Sequence, residues 1–277
     1  MAHGMEVNLD LVRRWSGALE ACMPAATSYA RSVQPSPPGA TAAIGALRYF
    51  INDWGHGEAN EAGHSVVVDS LRRHLEPHDR SSIVVLGGGA GRIASELTRD
   101  CDAVQVFDLS AAMALTFHWL RGGELTVHHP IDMNVREVDE LYPAIALTTV
   151  LPARDRPAHL DRVDYAIADA LRMPVADATF SAAVAVYLTD VVGSVTDLVR
   201  EAHRVLVPGG AFVVFGTLGY ADFRPAEMWT VAELRELLAE QGFAIAHEEW
   251  VTHALWPSRI LVQTEATAWS FVAVKQA

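Results

Sequence analysis

Lysine is nearly absent from this 277-residue chain: Lys275 is the sole example, and 20 of the 21 basic side chains are arginine. The formal charge is −13. Binding to a nucleic-acid backbone relies on basic patches, and the densest here are the pairs Arg13-Arg14 and Arg72-Arg73. A nucleic-acid substrate is therefore not expected. Cysteine is scarce too. Cys22 and Cys101 lie far apart, which gives neither a disulfide framework nor a CxxC pair. His56 and His64 are eight apart with no cysteine nearby, so no metal is expected. No apolar run approaches the roughly 20 residues of a membrane span. The opening stretch "MAHGMEVNLDLVRRWSG" lacks the apolar segment of a signal peptide. The expectation is a soluble cytoplasmic protein, monomer or homodimer, that acts on a small molecule.

What is present is ample material for a core, with 51% of residues hydrophobic. Residues 8–33 read as largely helical, interrupted at Pro24, and "QPSPPGAT" (34–41) reads as a hinge. Leu47, Phe50, Ile51 and Trp54 fall at i, i+3, i+4 and i+7 of a second helix, and a third covers 58–76. Beyond residue 80 the texture changes. Short apolar strands (82–86, 103–107, 163–168, 181–187, 211–216) alternate with helical stretches, the pattern of a parallel sheet with crossover helices. A helix over 195–206 starts at Ser194 with Asp197 three residues on, and another runs from Thr230, with Glu233 in the same position, to Gly242. Two late strands, 243–250 and 269–275, close the chain. The division expected is a helical cap over 1–79 and an α/β domain over 80–277. The stretch 122–162 is too long for an ordinary crossover and reads as an insertion.

"VVLGGGAGRIA" (84–94) breaks a β-branched run into glycines before a helix. A P-loop needs Lys-Ser or Lys-Thr after its last glycine; Gly91 is followed by Arg92-Ile93. Gly87, Gly89 and Gly91 spell G-x-G-x-G, whereas the dinucleotide fingerprint is G-x-G-x-x-G. The tighter turn suits a ligand without a pyrophosphate. Asp108, 17 residues past Gly91 at the end of "AVQVFD", is placed to accept ribose hydroxyls. These features favour S-adenosylmethionine (SAM) over a nicotinamide dinucleotide.

Downstream, "YAIADALRMPVADATFSAAVAVYLTD" (165–190) and "EAHRVLVPGGAFVVFG" (201–216) resemble the class I SAM-dependent methyltransferase pattern over about 80–275. That resemblance implies a Rossmann-like, mostly parallel seven-stranded sheet with a C-terminal antiparallel hairpin. It places Asp169 and Ala170 at the adenine, flanked by Leu109 and Val186. The position two before the first glycine, usually acidic, is Val85. This absence, Arg92 after the third glycine, "LRYFINDW", the long insertion and the Asp after "VYLT" distantly resemble the carnosine N-methyltransferase family. By that resemblance Tyr49 and Asn52 reach the SAM carboxylate and Arg92 joins the cofactor site. Tyr187 and Asp190 fall where that family holds an imidazole ring, with Tyr220 and His129 as further substrate contacts. Ala221 stands where the family has a substrate-binding histidine, and Thr267 where it has tyrosines, so the acceptor differs from carnosine.

Methyl transfer from a sulfonium is an in-line displacement that depends on holding a lone pair about 3–3.5 Å from the methyl carbon. An imidazole is mostly neutral at pH 7, and a carboxylate on its distal N–H would orient it. Asp190 is the catalytic candidate. The alternative for Asp190 is a cap on the following helix, for Tyr187 strand packing, and for His118, His128 and His129 a solvated or structural role. The expected reaction is N-methylation of a small molecule with an imidazole, histidine-like or amine group. O- or C-methylation in secondary metabolism, an NAD-dependent oxidoreductase and a non-catalytic SAM-binding protein remain the alternatives.

Overall fold

The computed structural model describes residues 10–11, 13–14, 17–18, 21, 49–55, 58–101, 103–122, 125–128, 144–147, 160–219, 228–255 and 264–276. Nine strands and five helices follow one another within them. They are α1 (Glu58–Leu75), β1 (Ile83–Leu86), α2 (Arg92–Leu97), β2 (Val104–Asp108), α3 (Ala111–Gly122), β3 (Leu125–His128), β4 (Ala144–Leu147) and β5 (Val163–Ile167). Then come β6 (Phe180–Val186), α4 (Val195–Val205), β7 (Leu206–Gly216), α5 (Val231–Glu240), β8 (Phe243–Leu255) and β9 (Thr264–Lys275). Residues 49–54 are also helical.

Seven strands form one sheet in the order β5-β2-β1-β6-β7-β9-β8. The first five run parallel, and β9 and β8 are antiparallel to their neighbours. The chain leaves β1 toward β2 and β5, then returns to β6 and β7 on the other side. That reversal beside β1 opens a crevice at the carboxyl ends of the strands, where open α/β sheets take their ligands. The expected fold class is thus observed. Within the 122–162 insertion, β3 and β4 make a separate antiparallel pair, Leu125 to His128 against Leu147 to Ala144.

Buried strands that face helices on both sides read as continuous apolar runs, and β1 is buried at every position. Val85, Val106, Val184, Val213 and Phe215 face one core, which also takes in Leu11, Phe50, Ile51, Trp54 and the α1 residues Val67, Leu71 and Leu75. Val84, Leu86, Ala183, Phe212 and Val214 face the other, with α4 and α5. The expected i, i+3, i+4, i+7 face is seen at Phe50, Ile51 and Trp54, all buried; Leu47 lies outside the described residues.

Both predicted caps are present, in different forms. The Thr230 side chain accepts from the Glu233 N–H while the Glu233 carboxylate takes the Thr230 N–H, a full capping box. Ser194 accepts from the Asp197 N–H, but the shorter Asp197 carboxylate pairs with Arg200 instead. Lys275 donates at 2.7 Å to the carbonyls of His203 and Leu206, at the end of α4. The hairpin is longer than its sequence indicates. Pairing of β8 with β9 continues from Val251–Ala268 to Leu255–Thr264, past the last β7 pair at Gly216–Trp269. Five further residues at about 3.4 Å each carry it roughly 17 Å beyond the end of β7. Among the described residues no helix is long and apolar enough to cross a membrane.

A buried polar network fastens α1 to the hairpin. Ser70 donates to Glu249 at 2.7 Å and lies 2.8 Å from the Ser270 hydroxyl, which lies 3.0 Å from His74 Nε2. Burial, partly offset by Glu249, pushes His74 from 6.5 to about 4. The unfolded chain therefore binds a proton here below pH 6.5 that the folded chain refuses until about pH 4, so this contribution is whole above 6.5 and is lost as pH falls. Urea unfolding at pH 7 and pH 5 should show the parent losing about 1–2 kcal/mol more than a His74→Gln variant. Equal losses would free His74 of that role.

Candidate functional site

The turn between β1 and α2 is built from glycines for two different reasons. A Cβ at Gly87, Gly88 or Gly91 would lie 2.6, 2.3 or 2.4 Å from Leu188, Val106 or Phe117, so packing bears on all three, and Gly87 (φ +60°) and Gly91 (φ +87°) are also left-handed. Gly89 has φ +54° and a Cβ there would meet nothing nearer than Asp53 Oδ2 at 3.9 Å. Its backbone is open to an incoming ligand, as a cofactor cradle requires.

The polar groups of this turn are held from several directions. Asp108 accepts the Gly89 N–H on Oδ2 (2.9 Å) and the Ser110 N–H on Oδ1 (2.7 Å). The Tyr165 hydroxyl, from β5, donates to the Gly89 carbonyl. The Trp54 indole N–H donates to the Ala90 carbonyl at 2.9 Å. The Asp53 carboxylate takes the N–H groups of Ala90 and Arg92. Burial raises the Asp53 pKa, with His64, Arg92 and those two N–H groups opposing the rise. Asp108 is likewise raised by burial and held down by Ser110 and Gly89. Each carboxylate oxygen offers two acceptor sites, so Asp108 retains capacity for ribose hydroxyls while it holds the turn.

The other expected cofactor residues gather around this turn. The Ala168 N–H donates to the Asp108 carbonyl at 3.0 Å, which draws Asp169 and Ala170 beside it. Asp169 folds its own turn by accepting the Leu171 N–H at 2.9 Å. Ala170 is buried, Val186 packs on the core, and Leu109 is 70% exposed beside Asp108. Tyr49 and Asn52 lie one turn apart on the helix that supplies Asp53 and Trp54. Arg92 is a correction. Its guanidinium is buried and engages Glu61 (2.9 Å), Glu96 (3.2 Å) and the Asp53 carbonyl (3.0 Å). The side chain straps α2 to α1 and to the 49–54 helix instead of facing the turn.

Across the crevice, past the end of β6, lie Tyr187 and Asp190. Asp190 Oδ2 accepts the Thr217 hydroxyl at 3.0 Å, and burial pushes its carboxyl above the ordinary value against that bond. Asp190 does not cap α4, whose N-cap is Ser194. Tyr187 reaches His253 of β8 through its hydroxyl and meets Phe215 edge-on. His118 is exposed on α3, and the His128 backbone pairs with Ala144. Tyr220 and His129 lie outside the described residues. No group of three or more His, Cys, Asp or Glu side chains among the described residues is arranged for a metal.

Sequence reasoning missed Asp53, Trp54, Tyr165, Thr217 and His253. A signal for Asp53 existed: Val85 leaves the turn without its usual acid, and "INDW" holds a carboxylate next to Asn52. Truncation of Asp53 to Ala should strand the Ala90 and Arg92 N–H groups, at a cost of about 1–3 kcal/mol. Denaturant unfolding together with amide exchange at Ala90 and Arg92 checks this. Asp53→Asn, which keeps an acceptor oxygen, should cost less. Unchanged exchange in Asp53→Ala would detach the 49–54 helix from the turn.

The sequence of β4 to β7 also has relatives. The model of a family described as "Methyltransferase domain" matches residues 145–214. The sterol 4-C-methyltransferase strm-1 of Caenorhabditis elegans is 35% identical over 63 residues, 23% of this chain and 19% of that protein. The similarity thus spans about a fifth of that relative's length. Among solved structures, the [4+2]-cyclase SpnF superposes with TM-score 0.55 at 15% identity, covering 84% of this chain and 95% of that one. The PH0226 protein of Pyrococcus horikoshii OT3 gives 0.53 at 15% identity, with 80% and 93% covered. These likenesses are of fold. The strand order and the glycine turn agree with the matched segment: the chain has the Rossmann-like methyltransferase fold, and residues 145–214 are similar to the methyltransferase-domain family.

Proposed function

We propose that this domain transfers the methyl group of SAM to a nitrogen of a small molecule, with an imidazole or histidine-like acceptor favoured over an alkyl amine. The observation that carries the reading is the Asp190 carboxylate. It is half-buried at the carboxyl edge of the sheet, with Oδ2 on Thr217 and a buried Oδ1 that has no partner among the described residues. Bound SAM supplies an electrophilic methyl on a sulfonium. Asp108 then receives the ribose hydroxyls, while Leu109, Asp169, Ala170 and Val186 border the adenine. Tyr49 and Asn52 serve the carboxylate end, and residues 1–79 act as a cap that excludes water. Asp190 accepts the distal N–H of an imidazole, points the other nitrogen at the methyl, and takes the proton that the methylated ring releases. Its raised pKa suits that last role. Tyr187 forms a wall of the same pocket, and Tyr220 and His129 remain proposed substrate contacts.

A carbon acceptor is the second reading, favoured by the short similarity to a sterol 4-C-methyltransferase. Incubation with methyl-labelled SAM and a metabolite extract separates the two. Label on nitrogen is expected, and label on carbon or oxygen replaces the reading.

Gly89→Leu should abolish SAM binding in a folded protein, and Asp108→Ala should weaken it by about 1–3 kcal/mol. Calorimetry with SAM and with S-adenosylhomocysteine checks both; parent-like binding in both variants moves the cofactor elsewhere. Asp190→Asn keeps the size and removes the charge. Turnover of the labelled acceptor should fall about 10²–10⁴-fold with SAM affinity unchanged. Full turnover in that variant leaves the nitrogen reading without its catalytic residue.

A further inference from the structure

Two buried polar atoms on either side of Tyr187 have no partner among the described residues: Asp190 Oδ1 and His253 Nδ1. A polar atom stranded in this way costs free energy unless something fills it. His253 is 6% exposed, so it is not a surface side chain awaiting solvent. It belongs to the part of β8 that overhangs the end of β7, three residues past the Trp250–Trp269 pair. Its ring stacks on Phe215, with centroids 5.4 Å apart and planes at 22°. From above, α1 closes over this stretch, where a Cβ at Gly63 would touch the Ala254 carbonyl at 3.5 Å.

The Tyr187 hydroxyl meets His253 Nε2 and no other partner among the described residues, a contact that fits either group as donor. With the phenol as donor no hydrogen of Tyr187 is left stranded, Nε2 presents a lone pair and the ring hydrogen resides on Nδ1. His253 Nδ1–H is then a stranded donor, while Asp190 Oδ1 is a stranded acceptor. The backbone of Tyr187 supports the placement. Its φ of 50° lies in the left-handed region that a bulky residue seldom adopts. Such conformations persist where the surroundings over-determine them, commonly at binding sites. Here the Tyr187 N–H is fixed on the Phe215 carbonyl at 2.8 Å, and the ring lies beside both Phe215 and His253.

We propose that His253, Tyr187 and Asp190 form the recognition subsite for the methyl acceptor, and that the acceptor carries an oxygen, carbonyl or carboxylate, beside its reacting ring. His253 donates from Nδ1 to that oxygen, and Asp190 accepts the ring N–H. Tyr187 is the positioning residue that holds His253 in the donating tautomer. This inference rests on the nitrogen reading above and narrows its substrate to one that pairs a donor with an oxygen acceptor. The protein carries a formal charge of −13, and Asp190 belongs to the proposed subsite. Simple charge attraction would therefore favour a cationic probe, so preference for an anionic one is a stringent result.

The test uses the protein loaded with S-adenosylhomocysteine and two probes that share one ring, imidazole-4-acetate and histamine. Imidazole-4-acetate should bind about tenfold more tightly than histamine in calorimetry, the effect of one hydrogen bond to a charged group. His253→Phe keeps a ring on Phe215 but removes the donor; the preference should vanish while affinity for S-adenosylhomocysteine stays the same. Tyr187→Phe should reduce the preference by a smaller factor. Nitrogen-15 spectra of labelled histidine should show His253 hydrogenated on Nδ1 in the parent and lose that single tautomer in Tyr187→Phe. Equal binding of the two probes, an unaltered preference in His253→Phe, or the Nε2–H tautomer in the parent would overturn the subsite. Replacing S-adenosylhomocysteine by labelled SAM separates this inference from the reading beneath it. Preferential binding of imidazole-4-acetate without transfer keeps the subsite and removes that ring as acceptor. Equal methylation of both probes keeps nitrogen transfer and removes the subsite. Failure of both probes to bind removes both.

Discussion

A buried turn of main chain must find partners for its N–H and carbonyl groups, and at Gly89–Arg92 almost every partner comes from a distant part of the chain. Asp53 takes two N–H groups, Trp54 and Tyr165 serve two carbonyls, and Asp108 takes the Gly89 N–H. The turn therefore keeps its shape through the helix at 49–54, β2 and β5 at once. Arg92 makes the dependence mutual, since its guanidinium returns to the Asp53 carbonyl and to Glu61 of α1. The segment ahead of the first strand is part of the construction of the glycine turn.

The sheet then sorts the chemistry spatially. Asp108 and the 168–170 turn stand at the ends of β2 and β5, while Asp190, Thr217 and His253 follow β6, follow β7 and ride on β8. Parallel strands end together, which delivers the first four to one edge. The antiparallel hairpin does not stop there. By running on past β7 it carries His253 beyond the edge at which the parallel strands end.

Most of the framework was legible because it depends on short-range rules. Apolar runs of strand length, the glycine cluster, Asp108 at a strand end and the caps at Ser194 and Thr230 are all local signals, and the structure places each close to its expected position. What escaped depends on tertiary pairing. Asp53 meets the turn from more than thirty positions upstream, a contact visible only when both segments are seen together. His253 lies three residues past the expected strand end at Trp250, in an overhang that shows only through its pairing with β9. Arg92 sits next to the cofactor glycines, yet its side chain leaves in the opposite direction. Adjacency in sequence gave no indication of that, because side-chain direction follows from the helix it starts. The β3–β4 pair was hidden in an insertion whose strands are only four residues each.

The position of Lys275 has a bearing on the surface. This single lysine spends its ammonium on the His203 and Leu206 carbonyls. Every other basic side chain apart from histidine is a guanidinium, which does not deprotonate in proteins. Enzymes that acylate or conjugate side-chain amines thus find one target, engaged at the end of a helix. The cationic half of the surface stays charged through the alkaline range, and control by lysine modification has almost nothing on this fold to act upon.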